Sequence, residues 1–138
     1  MPFVDMQGRL KEWFQTAFCY VLDVKMTAMK TLNTLAEIDA HIATHRLSLL
    51  YVVSRGCGIC HAVEPKLERV LQTLPKIAAA RADAADLPEL AGRFHVLTAP
   101  VVMLFADGRE VWRAAKFVYM NELEKTLALW AAEYGETV

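Results

Sequence analysis

The chain has 138 residues, with 15 Lys and Arg against 16 Asp and Glu, a formal net charge of −1. Hydrophobic residues make up 55% and charged residues 22%, which excludes a mainly disordered chain. The near-neutral balance argues against a nucleic-acid binder that relies on a broad basic surface. Three cysteines are too few, and odd in number, for a disulfide-rich secreted scaffold.

The N-terminal stretch places Leu10, Trp13, Phe14, Ala17, Val21 and Val24 at helical spacing. A helix over about residues 9–23 with one apolar face is expected, within an N-terminal extension, 1–26. Cys19 in that stretch reads as a small buried hydrophobe. The apolar run Ala17 to Leu22 is far shorter than the roughly 20 residues a membrane span needs. Asp5 and Glu12 sit where a signal peptide has its basic region. A cytoplasmic protein is therefore expected, and there a cysteine pair is more often catalytic or metal-binding than structural.

A regular alternation of elements occupies residues 27–138. Thr27 to Leu32 reads as a short strand. Thr34 with Glu37 three residues on is a capping box, opening a helix to about His45. Leu47 to Val53 is a continuous apolar run, as a buried central strand would be. Cys57 to about Leu74 is helical by Val63, Leu67, Val70, Leu71 and Leu74, with Pro65 expected to kink it. Ile77 to Ala82 reads as a strand and Pro88 to Phe94 as a short helix. Val101 to Phe105 and Glu110 to Ala115 form a hairpin about Asp107-Gly108. Asn121 to about Glu133 closes as a helix with Leu123, Leu127 and Trp130 inward. Trp112, Phe117, Tyr119 and Trp130 read as core or rim. Strand–helix alternation followed by a hairpin implies an α/β fold whose sheet is mixed.

The chemistry concentrates in Arg55-Gly56-Cys57-Gly58-Ile59-Cys60-His61, between a buried strand and a helix. At a helix N-terminus the free N–H groups and the dipole favour a thiolate, which is the attacking form of cysteine. Arg55 adds to this if its head group lies near Cys57. A spacing of three lets the two sulfurs meet across the first turn. Cys57 is expected to attack a disulfide and Cys60 to resolve the mixed disulfide. Gly56 leaves room in front of the nucleophile and Gly58 allows close backbone approach. A metal half-site, a cluster bridged between two chains and an inert pair are the competing readings. Zinc needs four ligands, no second Cys-x-x-Cys exists, and His41, His45 and His95 lie on other elements than His61.

With these residues the sequence resembles the thioredoxin superfamily, over about Thr27 to Tyr134. Pro65 falls where that family has its helix proline. Arg81-Ala82-Asp83 and Leu87-Pro88-Glu89-Leu90-Ala91 resemble its third strand and short helix. Thr98-Ala99-Pro100 before Val101 resembles its cis-proline segment. The resemblance implies a thioredoxin-like three-layer α/β/α fold with an extra N-terminal helix, and thiol–disulfide oxidoreductase activity. It implies a cis Pro100 beside the cysteines, with Ala99 offering backbone groups to an extended substrate. Gly56, Gly58 and Ile59 complete the expected substrate surface. No cofactor beyond the Cys57/Cys60 dithiol and no metal is implied. The implied partners are disulfide-containing protein clients or small thiols, and an upstream reductase. A thioredoxin-fold adaptor with little turnover, or a disulfide isomerase or oxidase, are the alternatives.

The sequence also departs from that family. Gly56 and Ile59 stand where it usually has Trp and Pro. Tyr51 stands at its buried strand carboxylate, Arg81 at its nearby lysine and Lys116 at a late glycine. A phenol titrates near 10 and is a poor base at neutral pH. Tyr51, Glu64 and His61 are the candidates for proton transfer with Cys60: Glu64 lies one turn on, and histidine has a suitable ordinary pKa. These departures imply an altered potential, slower resolution or a narrower client set.

Overall fold

The computed structural model describes residues 29–134. The expected helix over 9–23, the extension 1–26 and Cys19 lie outside the described residues. Within them the order is β1 (Met29–Thr31), α1 (Leu35–Thr44), β2 (Leu47–Val53), α2 (Gly58–Gln72), β3 (Ala78–Asp83), α3 (Glu89–Phe94), β4 (Val101–Ala106), β5 (Arg109–Ala115) and α4 (Met120–Tyr134). Each expected element in this span is present, with ends moved by a residue or two.

The five strands form one sheet in the order β1-β3-β2-β4-β5. β1 and β2 flank β3 in parallel, while β4 runs antiparallel to both β2 and β5. Central β2 is buried along all seven residues, as its unbroken apolar sequence requires. Side chains alternate between faces, so the sheet builds two cores. One gathers Leu49, Tyr51, Val53, Val102 and Leu104 under α2 and α4, with Leu67, Leu123 and Leu127. The other gathers Leu50, Val52, Val101 and Met103 under α1 and α3, with Ile38, Leu90 and Phe94. This is the three-layer α/β/α arrangement.

Local signals set the boundaries. Thr34 Oγ1 accepts from the Glu37 N–H at 3.1 Å, and a Glu37 carboxylate oxygen accepts from the Thr34 N–H at 3.2 Å. That reciprocal pair starts α1 where two otherwise unmatched donors need partners. Asp107 and Gly108 both have positive φ, as a two-residue type I′ hairpin loop demands. An extra residue, Val111, bulges β5 between Trp112, opposite Leu104, and Glu110, opposite Phe105. α2 continues through Pro65 without a break in helical assignment.

Some expectations about side chains need correction. Leu123 and Leu127 are buried, and Trp130 is half-buried, packed on the same core and against Tyr134. Phe117 and Tyr119 are exposed rather than core. Helical and strand spacing ranks positions by face, and these two sit in the short link between β5 and α4, where spacing carries no information.

Candidate active site

β2 ends at Val53 and delivers the chain into a tight turn. The Cys57 N–H donates to the Ser54 carbonyl at 3.1 Å, and Gly56 between them has a φ of +79°. A turn with positive φ at its third residue is type II, and glycine adopts it without strain. A Cβ on Gly56 would meet nothing within 4 Å. The backbone angle, rather than lack of space, is therefore what requires glycine among the chain's own atoms.

Cys57 is the N-cap of α2, and its Sγ accepts from the Cys60 N–H at 3.1 Å. The sulfur thus occupies the position where helix N–H groups and dipole favour negative charge. Cys57 and Cys60 are joined as a disulfide, with Cα atoms 5.3 Å apart. The two differ in access. Cys57 is half-buried, whereas Cys60 is 2% exposed and packs in the core under α2. Gly58 and Ile59 lie between them on the exposed first turn.

The Ala99–Pro100 peptide is cis. Pairing of Val101 with Val52 sets this segment beside the end of β2 that leads to the cysteines. Ala99 packs against the same core cluster as Cys57. The Lys116 N–H donates to the Pro100 carbonyl at 2.7 Å, so Lys116, itself at positive φ, joins this surface. Its neighbour Phe117 and the nearby Leu97 are exposed apolar side chains.

The three candidates for proton transfer are placed differently. Tyr51 is fully buried and its hydroxyl donates to the Cys60 carbonyl at 2.8 Å. Burial pushes its pKa up, the Glu64 charge adds to this, and the Arg81 charge opposes it. His61 is exposed on α2. Glu64 turns toward β3, where one carboxylate oxygen lies 3.2 Å from Arg81 Nε. A cavity of about 120 Å³ has Cys60, His61, Glu64, Arg81 and Asp83 in its wall. Arg55 does not add to the thiolate field as expected, because its guanidinium pairs with Asp86. The sequence reading missed the contact of Glu64 with Arg81. Its signal lies in the sheet register, where Arg81 is opposite Tyr51 and hence on the same face.

Among the described residues no three His, Cys, Asp or Glu side chains gather as a metal site, and no helix is long and apolar enough to cross a membrane.

Comparison with known proteins agrees with this geometry. The family model for thioredoxin matches residues 28–129. The chain is 43% identical over 102 residues to the thioredoxin-like protein YdfQ of Bacillus subtilis, covering 74% of this chain and 91% of that protein. It is 29% identical over 89 residues to thioredoxin-1 of Saccharomyces cerevisiae, covering 64% and 84%. Among solved structures, thioredoxin of Fasciola hepatica superposes with a TM-score of 0.67 at 26% identity, covering 73% of this chain and 98% of the other. Plasmodium falciparum thioredoxin gives a TM-score of 0.69 at 19% identity, covering 74% and 99%, a likeness of fold. A disulfide at a strand-to-helix turn, a neighbouring cis-proline and a family match across the whole sheet lead to one conclusion: the chain belongs to the thioredoxin family of thiol–disulfide oxidoreductases.

Proposed function

We propose that the chain reduces protein or small-molecule disulfides, with Cys57 as the attacking thiolate and Cys60 as the resolving thiol. The observation that carries this order is the difference in access: Cys57 reaches the surface at the helix cap, while Cys60 is buried one turn deeper. In the reduced protein a Cys57 thiolate receives the Cys60 N–H and the dipole of α2, and both lower its pKa. Thiolate attack forms a mixed disulfide with the client. Cys60 then attacks Cys57 Sγ and releases the reduced client sulfur.

Gly56, Gly58, Ile59, Ala99 and Pro100 form the substrate surface in this reading. An extended client segment adds to the Ala99 backbone as a short β-pairing. Ile59, Leu97 and Phe117 offer apolar contacts around it. Electrons come from an upstream reductase or a small thiol, in the cytoplasm, and no further cofactor is needed.

The test is reduction of insulin with dithiothreitol as electron source. Wild type is expected to accelerate it and Cys57→Ser to lose the acceleration entirely. Cys60→Ser is expected to accumulate a stable mixed disulfide with the client, visible by mass. Equal behaviour of wild type and Cys57→Ser would sink the proposal. A reduction potential well above that of the cytosolic glutathione pool would turn it toward an oxidase or isomerase.

A further inference from the structure

Resolution of the mixed disulfide needs a Cys60 thiolate, and Cys60 is 2% exposed in the disulfide form, so the route for its proton runs through the groups and cavity beside it. Something inside must receive it. Tyr51 is the polar side chain bonded to this residue, but its hydroxyl is committed as a donor to the Cys60 carbonyl. Burial also pushes the phenol above its ordinary value, so the neutral form persists. A neutral phenol already donating its proton is no acceptor at neutral pH.

The cavity beside Cys60 offers the alternative. At about 120 Å³ it is well above the roughly 10–15 Å³ that one water needs. Charged or titratable groups reach it from every side: Arg55 from the turn, His61 and Glu64 from α2, and Arg81 and Asp83 from β3. Three of these groups are already engaged or exposed to solvent. Arg55 is drawn off by Asp86, His61 lines the cavity but is solvent-exposed, and one Asp83 oxygen accepts from the Ala85 N–H at 2.8 Å.

Glu64 and Arg81 are set differently. Their side chains are 21% and 28% exposed and 3.2 Å apart, but the Arg81 Nε–H is not aimed along that line. Arg81 Nε and Glu68 Oε2 are buried with no hydrogen-bond partner. Glu68 sits one turn beyond Glu64. Burial raises its pKa, the Glu64 charge raises it further, and Arg81 opposes both. One guanidinium thus lies within electrostatic reach of two carboxylates on the same helix.

We propose that Glu64, held by Arg81 in the cavity beside Cys60, is the base that takes the Cys60 proton during resolution. This rests on the reading of Cys60 as the resolving thiol. The Cys60 S–H bond breaks and its proton passes to the Glu64 carboxylate, directly or through water. The Cys60 thiolate attacks Cys57 Sγ, a new S–S bond forms, and the bond from Cys57 to the client breaks. The client sulfur leaves with the electron pair as a thiolate and takes up a proton, which Glu64 returns through the cavity. The two cysteines lose two electrons and the client disulfide gains them. Glu64 supplies negative charge next to the thiol, Arg81 fixes it there, and Tyr51 holds the Cys60 backbone while the sulfur moves.

The test uses the full-length reduced protein and an aromatic disulfide whose thiolate is coloured. Two phases of colour release are expected in stopped flow. A bimolecular phase reports Cys57 attack and a concentration-independent phase reports Cys60 resolution. Glu64→Gln is expected to slow the second phase by roughly a hundredfold at pH 7, the low end of what a positioned base contributes. Its rate should then climb tenfold per pH unit toward the ordinary thiol range, near 8.5. The first phase should stay within twofold. Glu64→Asp should recover part of the loss, and circular dichroism should show both variants folded. An unchanged second phase and pH profile in Glu64→Gln overturns the proposal. So does the same defect arising from Asp83→Asn with Glu64→Gln unaffected. If wild type lacks a second phase altogether, the dithiol reading itself fails and takes the proposal with it.

Discussion

Each face of the sheet carries one arginine sunk beneath a helix, and the two are equipped in opposite ways. Arg113, on the α1 and α3 side, grips both carboxylate oxygens of Glu110 at 2.6 and 2.9 Å. It also donates to the carbonyls of Phe94 and His95 at 2.7 and 3.1 Å and touches Met103 Sδ. Arg81, on the α2 and α4 side, has an unaligned Glu64 and a buried Nε–H without a partner. Burial does not account for the difference, since the side chains are 26% and 28% exposed. The well-bonded arginine pins the end of α3 to β5, with partners on all three guanidinium nitrogens. The unsaturated one lies in the wall of the cavity beside Cys60. Polar groups left without fixed partners are unfavourable in a folded protein unless water or chemistry uses them, and of the residues with such buried atoms Arg81 is the one in the wall of the cavity beside Cys60.

The sharpest way to break the comparison is to remove the clamp. Arg113→Ala strips the donor from two carbonyls and a bidentate partner from Glu110. It is expected to destabilise the fold by about 2 kcal/mol, less than a fully buried network would lose because Glu110 is partly solvated. Arg113→Lys should recover little, because an ammonium cannot reproduce the planar fork. Disulfide exchange rates should remain at wild-type values. Urea midpoints and stopped-flow rates on the same samples check both halves. A loss below about 0.5 kcal/mol, within the range of ordinary surface substitutions, would show that the two arginines are equivalent after all.

Removing Arg81 should look different. Arg81→Met deletes an imperfect ion pair but also removes the cation that opposes the raised pKa of Glu68. The native state then holds its proton to higher pH than the unfolded chain does. Stability should therefore fall as pH rises through the raised native value of Glu68. Below the ordinary Glu value of 4.5 this pH-dependent loss should vanish. A pH-independent loss would mean that Arg81 acts as a plain structural pair like Arg113.

The asymmetry between the arginines was not readable from the sequence, although much else was. Thr34 with Glu37, Asp107-Gly108 and the cysteine pair are local signals, each acting within a few residues, and each appears in the structure as expected. The apolar run of β2 marked the central strand for the same reason. Arg81 and Glu64 are 17 positions apart and meet because β3 lies beside β2 and α2 crosses above. Periodicity tells which face a side chain takes but not what stands opposite it. Arg55 shows the same limit: its sequence neighbour is Cys57, but its partner in space is Asp86, on the segment after β3. Gly56 was singled out for open space, whereas a hydrogen bond across the turn and a positive φ explain it.

The smallest effect concerns His41, a buried titratable group on α1. Its Nε2 is 2.9 Å from the Ala78 carbonyl, so this nitrogen carries the proton and donates, while Nδ1 is buried without a partner. Burial lowers the His41 pKa, the Ala78 bond opposes this, and the charges of His45 and Lys30 lower it further. The unfolded chain thus takes up a proton near pH 6.5 that the native state refuses. This contribution to stability is complete above about pH 6.5 and lost as pH falls through the lower native value. Glu68 has the opposite sign, because its raised pKa makes the native state the better proton acceptor. The two faces of the sheet therefore respond to acid in opposite senses. Urea unfolding of the wild type from pH 8 to pH 5 should show a decline below 6.5 that His41→Gln flattens and Glu68→Gln steepens. If His41→Gln leaves the decline in place, the acid sensitivity belongs elsewhere, and His41 is held neutral at no cost.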